Sequence, residues 1–335
     1  MATDLPLVSV IMPIRNEAAF IARSLGAVLA QDYPSHRLEV LIADGMSTDE
    51  TRAIIQRLAA QYPHVPVRVI DNPGQIVPTG FNTALSEARG DVIVRVDGHC
   101  EIAPDYVSRC VQHLLKDGVE GVGGPLETVG TSLLSETIAL AMRSPFGVGD
   151  SAFRVGKGEA TLVDTIAFPA YMRAAVERAG PLDEELVRNQ DDEYNYRLRK
   201  IGARLLLAPD VRSKYYSRTS LGSLWQQYYQ YGFYKVRVLQ KHPRQMRLRQ
   251  FAPPAFVTAV LGGALLSPLS KAIRAAWGGA IGAYVAANLF ASWRIARRNG
   301  HEHFLRLPLV FSILHFSYGL GFLHGLVHFR NRWKG

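Results

Sequence analysis

The strongest constraint on the fold is a series of four short, largely apolar runs, each ending abruptly in polar residues. They cover residues 7–14, 38–43, 67–70 and 91–96. Their content of Val and Ile predicts strands, and their short, nearly continuous apolarity suits strands buried on both sheet faces. Helical patterns over 18–30, 49–61 and 79–88 separate them. Strand and helix alternating at this spacing predict a parallel sheet covered by helices. In such sheets ligands sit outside the carboxyl ends of the strands. The polar groups at those ends are Arg15 and Glu17, Asp44 and Ser47, and Asp97 and His99. A single cluster reads as a turn, but three on one sheet edge predict a site.

The segment Asp-Val-Ile-Val-Arg-Val-Asp-Gly-His-Cys-Glu, residues 91–101, is the centre of this pattern. Asp97 and His99, with Gly98 between them, have the spacing to reach one divalent cation. No G-x-G-x-x-G follows the first strand and no P-loop occurs, which excludes a dinucleotide-binding dehydrogenase and a P-loop NTPase. Ser47 or Thr48 is expected to cap the helix that follows, with Asp49 and Glu50 in its first turn.

Further along, an apolar stretch over 118–124 ends in Gly123-Gly124-Pro125 and reads equally as a tight turn or as close backbone approach to a ligand. A short helix is expected at 133–142, and a mobile loop over the site at 143–158. A strand at 162–168 would carry Asp164 and Thr165. Residues 189–200 place Asp191, Asp192 and Glu193 first and Arg197, Arg199 and Lys200 last, an order that dipole compensation alone explains.

Taken in order, Pro13-Ile14-Arg15-Asn16-Glu17, Asp44-Gly45-Met46-Ser47-Thr48-Asp49, Asn82, Gly90-Asp91, Asp97-Gly98-His99, Asp191-Asp192-Glu193 and Arg197 resemble a family 2 glycosyltransferase over the first ~230 residues. Asp-Gly-His, Val163-Asp164-Thr165 and Asn189-Gln190-Asp191 are similar to the membrane-attached enzymes of succinoglycan-type exopolysaccharide assembly. The resemblance implies the GT-A nucleotide-diphospho-sugar transferase fold: an α/β architecture with a mixed, mainly parallel sheet flanked by helices. It implies that Asp44 binds the base of a UDP-sugar, with Pro13, Arg15 and Glu17 lining the base and ribose pocket. Ser47, Asn82, Gly98, Gly124 and Arg197 complete the expected donor site. Asp97 and His99 stand where the family has Asp-x-Asp, and would touch ribose, diphosphate and a divalent cation. His in place of the second Asp favours Mn²⁺ over Mg²⁺. Spacing from Arg197 makes Asp191 the expected catalytic base, with Asp192 the alternative one residue on. The Arg-Trp pair of processive synthases is missing around residues 225–232, which favours single sugar addition.

The chain carries a net charge of +9, spread unevenly. Lys235, Arg237, Lys241, Arg244, Arg247 and Arg249 lead into the tail, and Glu302 is the sole acidic residue beyond position 234. Three apolar stretches follow at 251–269, 275–293 and 307–329, each near the ~20 residues of a helical span. Basic residues beside apolar stretches predict anionic membrane lipid as partner, and no nucleic acid. Two cysteines, Cys100 and Cys110, fit a reducing compartment. No signal peptide is expected, because residues 8–14 are too short and Arg15 and Glu17 follow at once.

The expected layout is a catalytic domain at 1–232, a basic interfacial segment at 233–250 and C-terminal membrane helices at 251–335. The expected enzyme is an inverting hexosyltransferase attached to the bacterial inner membrane, with its catalytic domain in the cytoplasm. It would move a hexose, glucose first, from a UDP-sugar to a lipid-linked saccharide acceptor. The rivals are a processive polysaccharide synthase, a transferase using another nucleotide sugar, and a catalytically silent nucleotide-sugar-binding membrane scaffold.

Overall fold

A computed structural model describes residues 5–149 and 158–333. Positions 150–157 of the expected loop, and Lys334, lie outside the described residues. Contacts divide the chain into two units, each treated by itself. The first holds the described residues up to Glu127 and from 158 to Tyr215; the second holds Thr128 to 149 and Tyr216 to 333.

In the first unit, β1 (Val8–Ile14), β2 (Leu38–Asp44), β3 (Val67–Asp71) and β4 (Val92–Arg95) are the four predicted strands. They run parallel, with β1 between β2 and β4 and with β3 outside β2. Ile14, Asp44 and Asp71 are in register, so the carboxyl ends of three strands form one edge. Between the strands lie α1 (Ile21–Leu29), α2 (Thr51–Gln61) and α3 (Val77–Glu87). After β4 come β5 (Cys100–Ile102), α4 (Tyr106–Lys116), β6 (Gly121–Gly123) and β7 (Leu126–Val129). Past the segment at 150–157 lie β8 (Thr161–Leu162), β9 (Ala170–Met172), β10 (Leu205–Leu207) and β11 (Ser213–Tyr216). The main sheet has the order β3-β2-β1-β4-β9-β6-β10-β8. β9 pairs antiparallel with both β4 and β6, and β10 runs parallel to β6. The sheet is therefore mixed and mainly parallel. Ile11, Leu41 and Ile93 from the strands pack with Phe81, Tyr194 and Leu198 from the helices in one buried cluster. Burying such side chains stabilises by roughly 1.5–3 kcal/mol each.

Two local expectations change. The strand expected at 162–168 is confined to Thr161–Leu162, and Phe168, at the far end of the expected run, takes a left-handed φ of 45°. The cap expected from Ser47 or Thr48 is not made: α2 begins at Thr51, and Asp49 instead accepts from the Thr51 N–H at 3.1 Å and its hydroxyl at 2.5 Å.

In the second unit a 21-residue helix, Leu221–Lys241, packs against Leu307–His328. The contact is backbone to backbone. A methyl group at Gly232 would collide with the Tyr318 carbonyl, and one at Gly321 with the Tyr229 carbonyl. Phe233, Val236, Tyr318, Phe322 and Phe329 fill the remaining space. Residues 248–269 and Leu307–His328 are long and apolar enough to cross a membrane. The middle stretch forms the helix Lys271–Asn299, whose charge-free centre is rich in Ala and Gly and less apolar than the other two. Leu307–His328 is one unbroken helix. The expected boundary at 232 falls inside Leu221–Lys241, and that at 250 inside Leu248–Leu266.

Candidate active site

The loops after β1 and β2 are laced together before they reach any ligand. Asn16, at a left-handed φ of 53°, donates its N–H to Ser47 Oγ at 2.8 Å and accepts from the Thr48 N–H through Oδ1 at 2.9 Å. Glu17 N–H donates to Thr51 Oγ1 at 2.8 Å, and Ala18 N–H to Asp49 at 3.1 Å. Asn tolerates the left-handed region because its short polar side chain bonds locally. The lacing fixes Pro13, Arg15 and Glu17 beside Asp44 and Ser47.

Asp44 is fully buried. Its carboxylate accepts from Ser47 N–H at 3.1 Å, from Ser47 Oγ–H and from Arg52 Nε–H. Arg52 also reaches Asp71 at 2.6 Å, so one guanidinium ties the ends of β2 and β3. The ion pair with Arg52 fixes the Asp44 side chain at the sheet edge.

At the end of β4, Arg95 and Asp97 point the same way, as residues two apart do in an extended chain. Arg95 Nε–H donates to Asp97 Oδ1 at 2.9 Å and Nη2–H to Oδ2 at 3.1 Å. The Arg95 side chain is only 8% exposed. Burial alone would lower its pKa, but the charges of Asp97 and Asp191 outweigh that and raise it. Arg95 thus stands in the field of both carboxylates. Sequence reasoning passed over Arg95, although a guanidinium inside an apolar strand signals an internal partner.

Asp191 is in the first turn of the helix Gln190–Lys200. That helix is set by Asn195, one turn on along the same face. Asn195 accepts from Tyr171 O–H at 2.6 Å and donates to Thr165 Oγ1 at 2.9 Å and to the Ile166 carbonyl at 3.1 Å. Tyr171 is the register partner of Ile93 on β4. The chain Ile93, Tyr171, Asn195 therefore ties the helix, through β9, to β4. Asp191 accepts from the Asp192 N–H at 2.9 Å.

His99 Nδ1–H donates to Glu17 Oε1 at 2.9 Å, and the His99 and Tyr215 rings pack edge to face with centroids 5.2 Å apart. Burial alone would lower the His99 pKa. The hydrogen bond to Glu17, with the negative fields of Tyr215, Glu17 and Asp97, raises it to about 9. Gly98 permits this arrangement, since a methyl group there would stand 2.7 Å from Glu17 Cγ.

Three expected donor-site residues are occupied elsewhere in the protein. Asn82 bonds the Leu182 backbone through both ends of its amide, at 2.8 and 2.9 Å, and reaches Glu184 at 2.9 Å. Arg197 bonds Glu193 at 2.6 Å and the carbonyls of Ala179 and Pro181 at 2.6 and 2.8 Å. A methyl group at Gly124 would collide with the Val211 carbonyl, so a close contact between two loop backbones accounts for that glycine. Among the described residues no group of three or more His, Cys, Asp or Glu side chains is placed to hold a metal by itself.

The chain is similar to known proteins along nearly its whole length. Over 336 residues the chain is 32% identical to the succinoglycan biosynthesis protein ExoA of Rhizobium meliloti strain 1021, covering 96% of each. Over 333 residues it is 25% identical to the dolichyl N-acetyl-alpha-D-glucosaminyl phosphate 3-beta-D-2,3-diacetamido-2,3-dideoxy-beta-D-glucuronosyltransferase of Methanococcus voltae, covering 98% of this chain and 99% of the other. Among solved structures, its fold is similar to that of the mannosyltransferase PcManGT from Pyrobaculum calidifontis, in complex with GDP-Man and Mn²⁺. That likeness has a TM-score of 0.60 at 20% identity and covers 96% of this chain and 88% of that one. The fold is also similar to S. aureus TarS 1–349 in complex with UDP, with a TM-score of 0.52 at 16% identity over 95% and 91%. Residues 9–178 match glycosyl transferase family 2. Given that match and a relative 32% identical along nearly its whole length, this chain belongs to glycosyltransferase family 2.

Proposed function

We propose that the chain is an inverting transferase that moves a hexose, with glucose the first candidate, from a UDP-sugar to a lipid-linked saccharide acceptor. The observation that carries this reading is the buried Arg95 guanidinium, which binds Asp97 and lies in the field of Asp191. A donor-side carboxylate and a candidate base then serve one locus, as a single in-line displacement needs. The full-length relative from Methanococcus voltae carries a lipid-linked acceptor in its name, which supports that class of acceptor here.

In this mechanism Arg15, Asp44 and Ser47 receive the base and ribose. Asp97 and His99 face the diphosphate. Asp191 takes the proton of the attacking hydroxyl, with its value lying in position and desolvation more than in basicity. Asp192 is the alternative base. Asn82, Gly124 and Arg197 support the site by fixing the loops behind it.

The residues at 97–99 fit a divalent cation, Mn²⁺ or Mg²⁺. Asp97 offers a hard oxygen, and His99 has its Nδ1 on a carboxylate, the arrangement by which imidazole ligands are oriented. With so few protein ligands, substrate phosphate and water would complete the shell. When bound, the cation supplies charge neutralisation at the leaving diphosphate.

We assign the catalytic function to residues 1–232, interfacial contact with anionic lipid to 233–250, and bilayer anchoring to 251–335. The enzyme would lie on the bacterial inner membrane with its site on the cytoplasmic face. Arg244, Arg247 and Arg249 would meet anionic headgroups. The test is a donor panel with membrane extract, read by mass spectrometry of the lipid product. A single hexose added to a lipid-linked saccharide from UDP-glucose, lost in Asp97→Asn and Asp191→Asn, is expected. Polymer formation, transfer from a different nucleotide sugar, or donor binding without turnover would replace this reading with one of its rivals.

A further inference from the structure

We infer that Asn195 is a positioning residue: its buried carboxamide fixes where the first turn of Gln190–Lys200, and with it Asp191, stands relative to Arg95. The inference rests on the assignment of Asp191 as the base.

The first observation is that both ends of the Asn195 amide are engaged. Oδ1 accepts from the Tyr171 O–H at 2.6 Å, and Nδ2 donates to Thr165 Oγ1 at 2.9 Å and to the Ile166 carbonyl at 3.1 Å. Asn195 is 0% exposed and Tyr171 3%. In so dry a place no water replaces a lost bond, and a satisfied buried network specifies one arrangement. A leucine there could fill the space without fixing a direction. The second observation is the spacing. Asp191 precedes Asn195 by four residues, one turn along the same helix face, so the two move as one body.

The third observation is what the amide holds on to. Tyr171 lies on β9, which pairs with β4 through Ile93–Tyr171 and Val94–Ala170. Just beyond, the Arg95 backbone N–H donates to the Pro169 carbonyl at 2.9 Å. The helix is thus tied to the chain that flanks Arg95 itself. The rings of Tyr171 and Tyr194, one residue before Asn195, also pack edge to face with centroids 5.8 Å apart. The fourth is electrostatic, since the charge of Asp191 acts on Arg95 and on Tyr171 alike. Misplacing a reacting group by ~1 Å can cost ~10²-fold in rate.

The test uses the full chain. UDP affinity is measured on protein purified in detergent. Turnover is measured in membranes with UDP-glucose, or with whichever nucleotide sugar the donor panel selects. Tyr171→Phe removes one hydroxyl and keeps the ring. Asn195→Leu removes all three bonds at similar volume. The expected fall in kcat is ~10-fold for Tyr171→Phe and ~10²-fold for Asn195→Leu, with UDP affinity changed by less than ~2-fold. Each is then combined with Asp191→Asn. A base that is absent cannot be misplaced, so neither change should lower the residual turnover of Asp191→Asn by more than ~2-fold.

Losses that multiply in the Asp191→Asn background would mean a general structural role and would overturn the inference. So would a UDP affinity that falls as far as kcat, or a native kcat in either variant. If Asp191→Asn alone keeps its turnover, the assignment of the base fails first, and the two failures are told apart. Thermal unfolding checks that each variant is folded, and Tyr171→Phe decides the matter if Asn195→Leu is not.

Discussion

Arg95 closes a two-pronged ion pair on Asp97, two residues further along the same strand end, with both carboxylate oxygens engaged. The carboxylate cannot rotate freely, and its guanidinium partner also lies in the field of Asp191. Arg95→Lys keeps the charge but loses the fork. It is expected to cost ~10-fold in kcat/KM, and Arg95→Met ~10²-fold or more, because the Met variant leaves Asp97 without its counterion. Steady-state kinetics on the two variants decide this; equal, near-native activity in both would remove Arg95 from the site.

Asp191→Asn keeps shape and removes the proton acceptor. Turnover should fall ~10²-fold or more, with donor affinity little changed. Asp192→Asn, one residue on, should retain most activity. The reverse pattern in a turnover assay would move the base to Asp192.

EDTA should abolish turnover of the UDP-sugar, and Mn²⁺ should restore it at least as well as Mg²⁺, because the protein offers one carboxylate and one imidazole. Full turnover in EDTA, checked by product chromatography, would show that Asp97 and His99 act without a metal.

His113 offers a pH test away from the site. Its Nδ1 meets Asp117 at 2.6 Å and its Nε2 meets Asp210 at 2.9 Å, joining α4 to the turn after β10. Burial alone would lower its pKa, but the two carboxylates raise it. A raised pKa in the folded state means stability that is full below the ordinary imidazole value near ~6.5 and is lost as pH climbs through the raised one. The melting temperature of the wild type should therefore exceed that of His113→Gln most at low pH. The gap should close toward alkaline pH. A gap that widened with pH would mean that His113 is held neutral.

What the sequence disclosed follows the range of its signals. The four parallel strands were legible because each is a short β-branched run bounded by turn residues, and the polar residues at their ends lie next to them in the chain. β9 was not legible: Ala170–Met172 has three residues and runs straight into a helix. The contact of Glu17 with His99 joins positions 82 apart, and no local pattern encodes it. Arg95 was hidden by its neighbours, since a strand of Val and Ile absorbs one polar letter without changing its period. Asn82 and Arg197 matched the family by position, yet their hydrogen bonds are structural, which only coordinates reveal. In the tail, composition identified three apolar stretches, while the Ala- and Gly-rich centre of Lys271–Asn299 separates it from the two that are long and apolar enough to cross a membrane.

The glycine contact between Leu221–Lys241 and Leu307–His328 can be tested directly. Gly232→Ala or Gly321→Ala puts a methyl group into a neighbouring carbonyl. Each should lower the melting temperature in detergent by several degrees, as overpacking by one methyl costs ~1–3 kcal/mol. Gly282→Ala, with open space around it, should not.

That same contact permits only one register. Sliding either helix along the other by a single residue would replace a glycine with a side chain at a point where two backbones touch. The pair consequently behaves as a strut of fixed length rather than a sliding joint. If Leu307–His328 lies in lipid, its depth sets the height at which the tyrosines of Leu221–Lys241 stand above the bilayer centre. A change in membrane thickness would then be transmitted to that helix as a displacement along the membrane normal, with no slack to absorb it.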